Sequence, residues 1–357
     1  MIYAVAMSGG VDSSIAALLL KEQGHHVIGF TMYHFNDRTF PFQQGALSKA
    51  VEDAQNVAKS LGIEHYTIDL QKEFNDIVIN DFINQYKKGL TPNPCTLCNP
   101  TIKWGAFLNK ISDIMCEKYN SSDFIIATGH YAKKVIIGQK SAIFRPSDIK
   151  KDQTYMLWQL SQKQVEQSLF PLTDFTKEQI RAMAHKANLP VAQSKDSQDI
   201  CFIDKDYHTF LNNYISAKEG NIILPDGTII GKHKGLIYYT IGQRKGLVPW
   251  TKPLYVMKID SKANTLIVTD DPTMLESKTF KIHQINLIRE DLPLYATNLR
   301  VKVRYHSPDE EVQSLHFQDD ILTVELKKPV SAISPGQSAV FYRDDELVGG
   351  GVILPFD

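Results

Sequence analysis

Cysteine is scarce in this chain, with four in 357 residues, too few for the disulfide framework of a small secreted scaffold. Long apolar runs are missing as well, and no uninterrupted stretch approaches the roughly 20 residues that a membrane-spanning helix needs. The N-terminus enters an apolar run within two residues, without a charged n-region, an h-region or a cleavage signal. These absences predict a protein of the reducing cytoplasm, with no membrane attachment, in which each Cys needs its own account. Charge imbalance is absent too. Thirty-nine Lys and Arg stand against 40 Asp and Glu, a net charge of −1, which excludes a uniformly basic nucleic-acid binder, so any RNA affinity must come from local patches. No internal repeat or low-complexity segment is present.

The chain is too long for one ordinary core, and its 43% of hydrophobic residues allows two or three well-filled ones. Through about residue 205, short β-branched runs alternate with longer helical patterns, which predicts parallel strands joined by helices. Strands are expected at Ile2 to Met7, His26 to Met32, His65 to Leu70 and Phe124 to Thr128. Leu47, Val51, Ala54, Val57, Ala58 and Leu61 mark an amphipathic helix stopped by Gly62. Thr176 and Gln179 make a capping-box start for a helix ended by Leu189-Pro190. The fold class expected is α/β, a doubly wound parallel sheet over residues 1–205. Ligands in such sheets sit beyond the carboxyl ends of the strands. A small mixed domain over 206–278 follows, with a hairpin turn at Pro225-Asp226-Gly227. Alternating runs such as Leu299 to Tyr305, Ile321 to Leu326 and Ala339 to Tyr342 then predict a small β-barrel over 279–357.

Ser8-Gly9-Gly10-Val11-Asp12-Ser13-Ser14 lies between the first apolar run and a helical one, a Gly-rich turn from strand to helix. Two glycines let successive N–H groups face one anion, and Ser13 and Ser14 add hydroxyls at the positive end of a helix dipole. No Lys follows, so this is not the GxxxxGK[ST] loop. Cys98 lies in the proline-stiffened Thr91-Pro92-Asn93-Pro94-Cys95-Thr96-Leu97-Cys98-Asn99, and Cys201 in Asp196-Ser197-Gln198-Asp199-Ile200-Cys201-Phe202-Ile203. Two such thiols with a phosphate loop upstream suggest sulfur chemistry on an activated substrate, since a thiolate is a strong nucleophile and can carry a second sulfur as a persulfide. A structural zinc would need Cys116 beside the CxxC, yet Asp113-Ile114-Met115-Cys116 reads as an apolar helix face with Cys116 as core filler. Trp104, Trp158 and Trp250 are equally open to core or stacking roles.

SGGVDSS after a strand resembles the PP-loop of the ATP pyrophosphatases. With TPNPCTLCN and its following IKW, ATGHYA, KDQTYML, DSQDICFI, GLIYYTIGQRKGL, VRYH and PGQSAVFY in this order, the whole chain resembles the bacterial tRNA 2-thiouridylases, the MnmA family. The resemblance implies adenylation of the wobble uridine of certain tRNAs at its C2 oxygen by ATP with Mg²⁺, and replacement of that oxygen by sulfur from a persulfide donor protein. It implies Cys98 as nucleophile and Cys201 as persulfide carrier, with a transient disulfide between them closing the cycle. ATP would be held by Ala6, Met7, Ser8, Gly9, Gly10, Val11, Asp12, Ser13, Met32 and Gly129, with Mg²⁺ near Asp12. Asn93, Pro94 and Cys95 would face the target base, and His130, Lys151, Asp152, Gln153, Arg304, Tyr305 and Gln337 would touch tRNA. The enzyme is expected to be a monomer. A stacked anticodon base cannot be reached at C2 and must be flipped into the rim. Lys232, Lys234, Arg244, Lys245, Arg300, Lys302 and Arg304 would supply cations for phosphates.

One position departs from the family pattern. Many members resemble NPDxxCN, whereas Cys95 stands here in place of the Asp. A thiol with an ordinary pKa of about 8.5 is a poor acid–base substitute at neutral pH. Cys95 is therefore a spacer, a second resolving thiol, or, with Cys98 and Cys201, a ligand of an iron–sulfur cluster; the spacer reading is preferred. Two rivals to the whole assignment are a PP-loop amidating ligase, which needs no cysteine pair, and an ATP-sensing RNA-binding module, which would not require Cys98 and Cys201 to act together.

Overall fold

A computed structural model describes residues 1–34, 46–194, 200–203, 206–291 and 298–356. Strands β1 (Ile2–Ala6), β2 (His26–Tyr33), β3 (Glu64–Asp69) and β4 (Ile125–Thr128) are followed by a hairpin of β5 (Lys133–Ile137) and β6 (Lys140–Phe144), then by the short β7 (Ser168–Leu169). Five of these form one parallel sheet in the order β3-β2-β1-β4-β7. Ala4, Val5, Ile28, Phe30, Ile126 and Ala127 are fully buried, as helices covering both faces of a parallel sheet require. The chain steps outward from β1 to β3 and then returns to the other side of β1 at β4. Ala6 and Thr128 consequently end side by side at the switch point, where a crevice opens.

Helix α1 (Val11–Glu22) and helix α2 (Ala46–Leu61) pack on one face of the sheet with Ile15, Ala16, Leu20, Ala54 and Val57 inward. The other face carries Phe74, Phe82, Trp104, Phe107 and Ile111, and this core runs on without a break into Phe210, Ile237, Val340 and Tyr342 of the later parts of the chain. Among the described residues no helix is long and apolar enough to cross a membrane.

Next come β8 (Gly220–Ile223), β9 (Ile229–His233), β10 (Tyr255–Asp260) and β11 (Thr265–Thr269), a four-stranded sheet in the order β10-β11-β8-β9 around Ile222, Leu254, Val256, Leu266 and Val268. The last unit contains β12 (Glu276–Leu287), β13 (Leu299–Lys302), β14 (Glu310–Gln318), β15 (Ile321–Ser331), β16 (Ser338–Arg343) and β17 (Glu346–Ile353). They run β12-β15-β14-β13-β16-β17, and β12 pairs again with β17, closing a six-stranded barrel. Closure leaves the barrel no open edge. The β5–β6 hairpin, although it lies among the first 205 residues, pairs with β17 at Phe144 and Ile143.

The three tryptophans divide. Trp104 and Trp158 are core residues; Trp158 Nε1 donates to Ser338 Oγ at 3.0 Å, and a Cβ at Gly350 would lie 2.8 Å from its ring. Trp250 is exposed. Cys116 is exposed rather than core filler. Ile111 and Met115 hold the inward face of helix Leu108–Tyr119, and the residue after Met115 is turned about 100° away from it.

Candidate active site

The phosphate loop is shaped by its glycines and closed by its serines. Gly9 has φ +75, and a Cβ there would collide with the Ala50 carbonyl, so only glycine fits. Gly129, at the end of β4, approaches so closely that a Cβ would sit 2.7 Å from Ser13 N. Ser8 N donates to Ser13 Oγ at 3.1 Å, and Ser14 Oγ donates to the Gly10 carbonyl at 2.8 Å. No side chain caps α1, which leaves its first N–H groups for an anion. Ala6, Met7 and Val11 complete the turn, and Met32 lies near the end of β2 on the same rim. This geometry suits an anionic group such as a phosphate. Asp12 is held from the side: Lys177 Nζ lies 2.7 Å and 2.8 Å from its two oxygens, and Tyr131 OH donates to Oδ1 at 2.9 Å.

The first cysteine motif forms a short helix, Pro94–Cys98, whose N-cap is Asn93: Oδ1 accepts from Cys95 N at 3.1 Å, and Nδ2 donates to Met156 Sδ at 3.4 Å. It continues as a π-helical stretch, Asn99–Phe107, a geometry frequent at functional sites. Cys98 is buried, and burial pushes its thiol up to about 12 against the opposing pull of Lys103. Phe202 anchors the second motif, packing edge-on against Phe74 and Phe82 with centroids 5.7 Å and 5.4 Å away. Cys201 Sγ comes 3.6 Å from His34 Nε2. Cys201 is exposed, yet desolvation by its surroundings raises its thiol above the ordinary range, and Cys98 and Cys95 lie near enough to raise it further. The fold thus brings Cys95, Cys98 and Cys201 into one crevice. None of the three is in a disulfide, so the Cys98–Cys201 bond implied for the end of the cycle is not formed. Residues 196–199 of the second motif lie outside the described residues.

His130 sits between the two halves. Burial holds its imidazole well below its usual pKa, and Lys103 adds to the effect. Lys103 Nζ lies 3.4 Å from Nε2, and Thr128 Oγ1 lies 2.8 Å from Nδ1. A neutral ring accepting at Nε2 leaves Nδ1–H to donate to Thr128. Lys103, His34, Tyr131 and Lys177 were missed by sequence reasoning. Lys103 and Tyr131 lie inside the quoted IKW and ATGHYA stretches, where a charged or hydroxylated residue beside the motif was the available signal.

The remaining expected site residues scatter along the junction with the barrel. Asp152 is buried, 3.6 Å from Arg145 Nε, and accepts from Thr154; Arg145 also pairs with Asp309 at 2.5 Å. Gln153 exchanges hydrogen bonds with the Tyr131 backbone, while Lys151 ends a short 3₁₀ turn. Arg304 Nη2 donates to the carbonyls of Ile241 and Ala332 and to Ser334 Oγ, clamping the middle domain to the barrel. Tyr305 packs on Tyr155 at 5.8 Å. Gln337 Nε2 donates to the Thr91 carbonyl at 2.7 Å, and Thr91 N donates to the Pro335 carbonyl at 2.9 Å, so the barrel supports the loop that carries Asn93, Pro94 and Cys98.

Three family models match consecutive stretches: the tRNA methyl transferase HUP domain over residues 1–205, the tRNA methyl transferase PRC-barrel domain over 208–270, and the aminomethyltransferase beta-barrel domain over 277–353. A tRNA-specific 2-thiouridylase MnmA of Thermoanaerobacter sp. is 42% identical over 364 residues, covering 98% of this chain and 97% of that one. The tRNA-specific 2-thiouridylases MnmA of Natranaerobius thermophilus and Halothermothrix orenii are 42% and 41% identical, each across 98% of this chain and across 96% and 98% of their own lengths.

Proposed function

The chain belongs to the tRNA-specific 2-thiouridylase family, and from that premise we propose how its own residues carry the reaction. The enzyme is a tRNA-uridine 2-sulfurtransferase that uses ATP. Residues 6–13, with Met32 and Gly129, hold the nucleotide at the switch point. The uridine C2 oxygen attacks the α-phosphorus, the bond to the bridging oxygen breaks, and pyrophosphate leaves with the electron pair. A Mg²⁺ arriving with the triphosphate would take Asp12 as its protein ligand and neutralise phosphate charge.

Sulfur transfer then falls to the crevice. The terminal sulfur of a Cys201 persulfide attacks C2, and AMP leaves with the C–O electron pair. Cys98 thiolate next attacks the Cys201 sulfur of that adduct. A Cys98–Cys201 bond forms, the older S–S bond breaks, and the thiocarbonyl departs on the base. A reductant resets the disulfide. The observation that carries this reading is the convergence of Cys98 and Cys201 beside the glycine loop and uncapped helix at the switch point.

Asn93, Pro94 and Cys95 are assigned to the target base. His130, Lys151, Asp152, Gln153, Arg304, Tyr305 and Gln337 are assigned to tRNA, with phosphates met by the cations of the two later domains. Domain boundaries are placed near residues 205 and 278, the site of action in the cytoplasm, the sulfur donor as a persulfide-bearing protein, and the working form as a monomer. Among the described residues no group of three or more His, Cys, Asp or Glu is arranged to hold a metal ion, and the steps above run on free thiols. The decisive experiment is nucleoside analysis of tRNA treated with the wild-type chain, ATP and a persulfide donor. 2-Thiouridine is expected at the wobble position, and its absence with an active donor defeats the reading.

A further inference from the structure

The phosphate loop lacks a lysine of its own, and the fold supplies one from far along the chain. Lys177 opens helix Lys177–Lys186, 165 residues beyond Asp12. Its position is pinned twice. Thr176 and Gln179 form a complete capping box beneath it, and its own N–H donates to Asp148 Oδ2 at 3.0 Å. The pair it makes with Asp12 is lopsided: the lysine side chain is 10% exposed, whereas the carboxylate keeps 33% on a loop whose helix N–H groups are uncapped.

A half-buried ion pair is weak evidence for stability, so its placement asks for another reason. A carboxylate at an anion site repels phosphate unless a cation neutralises it, and a triphosphate entering this loop meets a pair whose two halves have separate uses. The carboxylate suits a divalent cation. The ammonium suits a phosphate oxygen.

Resting on the adenylation reading above, we infer that Lys177 is the phosphate-binding cation of the nucleotide site: it neutralises Asp12 in the nucleotide-free protein and passes to the β- and γ-phosphates when a nucleotide enters. During adenylation the bond from O2 of the uridine to the α-phosphorus forms while the bridging oxygen leaves as pyrophosphate, and Lys177 offsets the charge that gathers on that leaving group. AMP, which stays with the uridine, carries no β-phosphate for it to meet.

The test is a double-mutant cycle on the full chain, read by calorimetric binding of inorganic pyrophosphate in EDTA, with AMP as the control ligand. Asp12→Asn frees the ammonium and removes a like charge, so pyrophosphate should bind about tenfold tighter. Lys177→Met should bind it about tenfold more weakly, and in the double variant the gain of Asp12→Asn should vanish. AMP affinity should stay within about twofold throughout. Lys177→Met strands the Asp12 carboxylate; if it fails to fold, the double variant, which removes both charges, still decides. A double variant that keeps the tenfold gain overturns the assignment, as does equal weakening of pyrophosphate and AMP. Normal ATP binding with a flat cycle overturns the assignment alone, whereas a wild-type chain that binds no ATP overturns the adenylation reading with it.

Discussion

The two halves of the site are prepared in opposite ways. In the phosphate loop the carboxylate already has its counterpart: Asp12 faces Lys177 and Tyr131, and Ser8, Ser13 and Ser14 close on one another and on Gly10. Around the thiols, desolvation favours the uncharged forms. Cys98 and Cys201 are held protonated, His34 is lowered to about 4 and His130 falls well below its usual value. The half proposed to bind an anion has its charge already paired, while the half proposed to supply the nucleophile holds its thiols protonated, with Lys103 as the cation each of these groups senses.

That division can be broken at several strengths. The largest effect belongs to Cys98→Ser and Cys201→Ser, each expected to lower 2-thiouridine formation at least about 10³-fold while tRNA-dependent pyrophosphate release stays within about threefold. A parallel fall in pyrophosphate would show that the halves do not act separately. Asp12→Ala works on the other half: pyrophosphate release should drop about 10²-fold or more, and alkylation of Cys98 should not change.

The storage of the thiols is open to measurement by pH. A Cys98 thiol held near 12 stays protonated through neutral pH. Its alkylation by iodoacetamide at pH 8 should therefore run at least about tenfold slower than that of the exposed Cys116, rising about tenfold per pH unit toward 11. Lys103→Met should slow it further and Lys103→Arg should restore it, as followed by peptide mass mapping. Equal rates for Cys98 and Cys116 would remove the contrast between the halves. The smallest effect is expected at Cys95. As a spacer, Cys95→Ala should retain at least about a tenth of thiolation, no more than about 1.4 kcal/mol on the barrier. Collapse to background together with loss of bound iron from anaerobically purified protein would favour the cluster instead.

Local chemistry was legible in the sequence where it was written in neighbours. The glycine loop, the parallel strands, the capping box at Thr176 and the hairpin at Pro225-Asp226-Gly227 all follow from residues within a few positions of one another, and the structure has each of them. What escaped was set by distance along the chain. Nothing near Lys177 announces Asp12, and the pairing of β6 with β17 is invisible in either strand alone. The outward turn of Cys116 was a matter of one residue's rotation about a helix, finer than an apolar pattern resolves. The TPNPCTLCN motif named its helix cap, Asn93, but not the π-helical continuation that brings Lys103 to His130.

Support for Thr91 from the Pro335–Gln337 loop has a consequence for how the protein is made. Donor and acceptor are 246 residues apart, and at about 5–20 residues per second on the ribosome the later one follows the earlier by roughly 12 to 50 seconds. During that interval the first domain can complete its sheet and its phosphate loop, yet the cysteine loop has no wall behind it and the β5–β6 hairpin has an unpaired edge. Through the last part of synthesis Cys98 and Cys201 are therefore both present in an unfinished crevice, at the stage when a premature disulfide would be easiest to form. Translation of the final strands is what completes the wall behind the buried Cys98 thiol.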